Sequence, residues 1–198
     1  MASLVLSGDT SGSVTLSAPA VAGSNTQTLV ATTDTLAPVV RGTAQVAVTD
    51  FTTSADFTGI PPWVKRITVV FSGLSLSGTD TAIIRIGPSS GVVSTGYINA
   101  QTSVSTAAAN TTNGSETTGG FSLGGFTSTA GTILYGQVVI TNITGNTWVS
   151  SGVYHARNVD RVASTAGVVV LSDVLTQVSV TRTGTNTFDS GTINILYE

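Results

Sequence analysis

His155 is the single histidine of the chain, and Asp160, in HARNVDR, is the nearest carboxylate along the sequence. A metal held there would need carboxylate partners, and the His155 to Asp160 gap matches no ligand spacing. A Ser/His/Asp hydrolase would use the same histidine as its base, but no G-x-S-x-G elbow presents a nucleophilic serine. Cleavage of a glycosidic bond needs two carboxyl groups flanking one linkage, and Asp50, Asp56, Asp80, Asp160, Asp173 and Asp189 are the acids that would supply such a pair. Each stands beside turn residues, where an aspartate usually caps or solvates a loop. GGFSLGG (119–125) lacks the lysine of a phosphate-binding loop and precedes no helix, so it reads as a flexible loop. Asp9 and Asp34 would hold a cation only if copies met on a shared axis, and solvated turns are the simpler reading. The sequons at Asn110, Asn113 and Asn142 follow from threonine abundance. No catalytic residue, metal or cofactor is expected.

Non-covalent recognition fits the remaining residues better. A sugar is gripped by an aromatic ring under its apolar face and by polar groups at its hydroxyls. Trp148, Tyr154, His155 and Arg157 lie close in sequence and offer both chemistries, with Trp148 and Tyr154 on one face of a strand. The competing role for Trp148 is a sandwich-core residue with Tyr154 at its edge. Tyr97, Phe121 and Phe126 flank a low-complexity stretch, 105–129, and are the other candidates for an exposed contact surface.

These side chains need elements to carry them, and the composition specifies which. Charged residues are 9% of the 198, far below the roughly 25% of ordinary soluble domains, and Gly numbers 22. Threonine, valine, serine and glycine dominate, which suits pleated strands and tight turns better than helices. From about residue 42 the chain runs through QVAVTDF, RITVVFSGL, TAIIRIG, TILYGQVVITNI, TWVSSGVYHA, GVVVLSD, VSVTRT and TINILYE, each fitting a strand. In RITVVF, Ile67, Val69 and Phe71 share a face, as do Ile193, Ile195 and Tyr197 in the last run, so that run belongs to the core. Turn clusters such as ITGN and TRTGTN separate the runs. An all-β fold is expected over 42–198, an antiparallel β-sandwich, with 105–129 as an excursion at one end.

Residues 1–41 differ. VTLSAPAVAGSNTQTLVA (14–31) carries no charge and few large apolar side chains, with Val14, Leu16, Val21 and Leu29 interrupted by Pro19. Burying so little cannot offset about 1–2 kcal/mol of backbone ordering per residue. The segment is therefore expected to be extended and to order against other copies or another protein. One lysine and six dispersed arginines form no basic stripe, which argues against nucleic acid. MASLVLSGDTSG has neither the basic region nor the apolar run of a secretion signal, and no window approaches the roughly 20 apolar residues that span a bilayer, so synthesis in a cytoplasm without membrane insertion is expected.

VTLSAPAVAGSNTQTL followed by TTDTLAP resembles an N-terminal motif of small fibre proteins of tailed bacteriophages. PPWVKRITVVFSGLSLSGT, GNTWVSSGV and TFDSGTINILYE are similar to the distal β domain of such tail-fibre proteins. The resemblance implies a virion structural protein made in the host bacterial cytoplasm: a homotrimeric short tail fibre with a jelly-roll-like distal domain (42–198) that touches host-surface polysaccharide. Its residues 1–41 would join another virion protein of the tail, baseplate or capsid. A capsid decoration or head-fibre protein is the alternative, and a polysaccharide-degrading tail enzyme a further one.

Overall fold

The computed structural model describes residues 52–105 and 112–198 in full, and the backbone of 3–7, 13–17, 40–41 and 46–47. The chain divides into two compact units, Met1–Leu36 and Ala37–Glu198. In the first, strand β1 (Ser3–Ser7) pairs antiparallel with β2 (Ser13–Ser17), setting Leu4 opposite Leu16 and Leu6 opposite Val14. Val14 and Leu16, expected to await partners from other chains, thus have backbone partners within their own. Pro19, Val21 and Leu29 lie outside the described residues, as do Asp9 and Asp34.

The second unit is all-β, with no helix among the described residues. Its strands are β3 (Val40–Arg41), β4 (Val46–Ala47), β5 (Ala55–Phe57), β6 (Arg66–Leu76), β7 (Ala82–Gly87), β8 (Ile98–Ser105), β9 (Thr112–Thr117), β10 (Phe121–Ser122), β11 (Ile133–Thr144), β12 (Thr147–Arg157), β13 (Arg161–Val170), β14 (Gln177–Arg182) and β15 (Phe188–Tyr197). A small sheet has the order β10-β7-β14-β5. A large one runs β15-β6-β11-β12-β13-β8-β9, with the two-residue pieces β3 and β4 on the free side of β15. All pairings are antiparallel. The two sheets share one buried core, so the architecture is a β-sandwich.

Alternation explains most of it. In β6 the odd positions Ile67, Val69 and Phe71 point into the core, and in β15 Ile193 and Ile195 do the same. The last run is a core strand, paired with β6 along its length as its alternation predicts. Register between β6 and β15 shifts where Gly73 (φ 71°) faces Gly191 (φ 112°). A methyl group on Gly191 would sit 2.6 Å from the Gly73 backbone, so two glycines let the strands approach there.

The inner face of the large sheet changes chemistry across its width. Under β15, β6 and β11 it is apolar, with Ile193, Ile67, Val69, Val138 and Ile140 buried. Under β8 it is polar: Asn99, Gln101, Ser103 and Ser105 are all buried. One partner of this polar stripe, beside β13 and β9, is GGFSLGG, which sequence reasoning reads as a flexible loop; the structure corrects that. The Ser122 amide donates to Asn99 Oδ1 (2.9 Å), Ser103 Oγ donates to the Gly125 carbonyl (2.7 Å), and Arg85 Nε donates to the Gly119 carbonyl (2.8 Å). Glycine suits the segment because its backbone lies close enough to β7 and β8 to bond them directly, while Phe121 and Leu123 fill the core. Nor is 105–129 a single excursion: its described residues supply edge strand β9 and strand β10. Residues 106–111 lie outside the described residues.

Candidate functional site

Strand alternation sends Tyr154 and Trp148 inward and His155 and Arg157 outward. Trp148 is buried, so it is a core residue and not a receptor contact; its Nε1 has no acceptor among the described residues. Tyr154 is 2% exposed, packs edge-on against Phe71 (6.1 Å between centroids), and donates its hydroxyl to the Gly124 carbonyl at 2.9 Å. Burial pushes its phenol well above the ordinary range. Tyr97 and Phe121 are likewise buried, forming an edge-to-face pair 5.0 Å apart at 88°. Tyr97 Oη accepts from the Ile86 amide at 2.8 Å. Desolvation pushes its pKa up to about 12, against the opposing pull of the Ile86 hydrogen bond and Arg85. Trp148, Tyr154, Tyr97 and Phe121 therefore leave the contact surface: alternation along β12 turns Trp148 and Tyr154 inward, and Tyr97, just before β8, packs in the core against Phe121 of β10. Phe126 is half-buried, lining a small cleft with Leu74, Leu123 and Leu134.

His155 and Arg157 remain on the surface, and the structure adds a residue that sequence reasoning missed. Tyr135 of β11 lies directly opposite His155, the two rings stacked at 25° with centroids 6.3 Å apart. Arg157 follows two positions on, on the same face, opposite Ile133. Two flat rings and a guanidinium thus crown one end of the large sheet's outer face. Such a set can support the apolar side of a sugar ring while the imidazole and guanidinium reach its hydroxyls.

Behind that cluster, ladder by ladder, the outer face presents Val70, Gln137, Val153, Ser164 and Thr102 in one cross-strand row. The next row has Thr68, Val139, Ser151, Ala166 and Ala100, and a third has Thr141, Val149, Val168 and Ile98. A shallow depression runs between Gln137, Val139, Val153 and Ser164. Many of these apolar side chains are open to solvent: Val153 is 61% exposed and Ile98 74%. The signal for this face was present in TILYGQVVITNI, whose Ile133, Tyr135 and Val139 make a second apolar stripe opposite Leu134, Val138 and Ile140.

At the opposite end, Trp63 (43% exposed) is tilted 58° against Tyr197 at 6.2 Å, and Arg66 pairs with Glu198 at 3.0 Å. Of the carboxylates, Asp80 accepts from the Asn186 amide (2.7 Å) while Asn186 Oδ1 accepts from the Asp80 amide (3.1 Å), a reciprocal clamp between loops. Asp56 accepts from Ser54 Oγ, and Asp173 from the Val174 amide. Asp50 lies outside the described residues. Asn113 sits in β9, and Asn142 donates to the Gly145 and Thr147 carbonyls, closing the β11–β12 turn; Asn110 is outside the described residues. Among the described residues no three of His, Asp and Glu gather where they could hold a metal ion. Compared with protein-family models, with curated proteins and with solved structures, the chain matches none.

Proposed function

We propose that this chain is a structural protein of a tailed-bacteriophage virion: a short tail fibre, homotrimeric, that adheres to host-surface polysaccharide without cleaving it. The supporting observation is the stack of half-buried Tyr135 on exposed His155 with exposed Arg157 beside it, an aromatic and cationic cluster on adjacent paired strands. Sites on paired strands hold their geometry without ordering cost at binding. Each contact is weak, and several copies per particle multiply it through effective concentration.

The strand order supports a jelly-roll reading of the sandwich. The chain crosses between sheets at every step from β5 to β8, the small sheet reads β5-β14-β7-β10, and the large one carries β6, β13, β8 and β9 in that order with the β11–β12 hairpin inserted between β6 and β13. Residues 1–41 then join the fibre to another virion protein. The test is adsorption of the purified full chain to host cells. The double variant Tyr135→Ala/His155→Ala should lose most binding while keeping its β-sheet circular dichroism, and wild type should release no reducing ends from host polysaccharide. Undiminished adsorption by that variant, or polysaccharide cleavage by wild type, would overturn the reading. Imaging a labelled N-terminus on the tail rather than the capsid checks the fibre's position.

A further inference from the structure

The Tyr135–His155 cluster uses only one end of the large sheet's outer face, and the rest has no task in adhesion. Three successive cross-strand rows there run over β6, β11, β12, β13 and β8, and the first two continue onto β15 through Asn194 and Leu196 and onto β9 through Gly114 and Glu116, seven strands in all. At about 4.8 Å between strands and about 3.3 Å per residue, they cover about 30 Å by 20 Å in plan. The accessible area over such a pleated surface exceeds its plan, bringing it to the order of the roughly 800 Å² per partner of a standard protein interface. Its interior mixes valines with short hydroxyl and methyl side chains, as in Val139, Ser151, Val153 and Ala166.

Charge selects the occupant. Arg66 and Glu198 stand at one end of this face, Arg157 at the other and Glu116 on edge strand β9, while the three rows between them carry no charge except Arg66 and Glu116 at their margins. A surface meeting copies of itself must place like beside like near the symmetry axis, and an uncharged centre avoids repulsion there. A polysaccharide or a charged partner would leave the exposed valines uncompensated. Sheets with such faces stack about 10 Å apart, side chains interdigitated.

We infer that the outer face of the large sheet is where copies of this chain pack against one another. The inference deepens the homotrimer reading and rests on it for the number of copies. It also gives the Tyr135–His155 end a place: packed through the middle rows, the copies bring their sugar-binding ends side by side at one rim.

The test uses the full chain, in sedimentation velocity. Wild type should sediment as a multiple of its 19.9 kDa, Val153→Glu and Ala166→Arg should fall to that single mass, and Val174→Glu, on an exposed loop outside the face, should keep the multiple. Because the chain has no cysteine, a second measurement is specific: the thiol of Val153→Cys should resist a bulky maleimide, and that of Val174→Cys should react freely. This second measurement decides the matter should either charged face variant fail to fold. If wild type is a multiple but the face variants remain so, or the Val153→Cys thiol is open, the copies meet elsewhere and this inference falls while the homotrimer stands. Wild type at 19.9 kDa overturns both.

Discussion

The two halves of the large sheet's inner face solve one problem by different means. Beneath β15, β6 and β11, isoleucines, valines and Phe71 exclude water, and stability scales with the area they remove from it. Beneath β8, amides and hydroxyls are buried and each needs a partner: residues 119–125 supply those of Asn99 Oδ1 and Ser103 Oγ, and β13 and β9 those of Asn99 Nδ2 and Gln101 Nε2. Gln101 Oε1 and Ser122 Oγ find none among the described residues, so that half operates closer to its limit. The first half tolerates loss of shape in proportion to volume; the second fails in steps, one orphaned group at a time.

The contrast can be broken from either side. Phe71→Ala, in the apolar half, should destabilise by about 3–5 kcal/mol, read from the midpoint of urea unfolding, since it removes a buried ring and leaves a cavity. Alkali should attack the loop side. Tyr97 has its pKa raised from 10.0 to about 12, and Tyr154 is raised too, so the folded state keeps protons that the unfolded chain sheds. Their stabilising contribution is whole below pH 10 and is lost upward from there, through about pH 12 for Tyr97, at about 1.4 kcal/mol per pH unit per group. Denaturant melts at pH 8, 10 and 11 check this, and a midpoint unchanged up to pH 11 would contradict the burial of both phenols. Asn99→Ala should cost about 1–3 kcal/mol by stranding the Ser122 amide and Thr165 hydroxyl. Smallest is Arg66→Ala at the half-exposed pair with Glu198, expected to cost less than about 1 kcal/mol in the same assay.

The same contrast explains what could be read from the sequence. β6, β11, β12, β14 and β15 announce themselves because one face of each is apolar, and alternation then has something to mark. INAQTSVS, which is β8, alternates as cleanly, but in the opposite sense: its buried face is the polar one (Asn99, Gln101, Ser103, Ser105) and Ile98, Ala100 and Val104 point outward, so it offers no apolar stripe for a core. β9 is exposed on both sides and β10 is two residues long, so neither could be found. Among the site candidates, alternation assigns Trp148 and Tyr154 to one face and His155 and Arg157 to the other. It does not say which face is covered. Tyr135 meets His155 through the β11–β12 hairpin, whose register is set at the turn between Thr144 and Thr147, well away along both strands and outside what alternation alone reports.

The glycine-rich segment at 119–125 has one more consequence, in the order of events. Its hydrogen bonds to Ser103, Asn99, Tyr154 and Arg85 cross 22, 23, 30 and 34 residues of chain, so their loops must be closed before it can settle. Its loops are not the longest, since β14–β5 and β15–β6 each close more than a hundred residues, but it holds Ser122 Oγ and lies against Gln101, whose Oε1 like that Oγ has no partner among the described residues, and it is expected to be among the first parts to open. A change such as Ser122→Pro should quicken the unfolding limb in stopped-flow kinetics while leaving the refolding limb nearly untouched, and slowed refolding would place the seam in the nucleus instead.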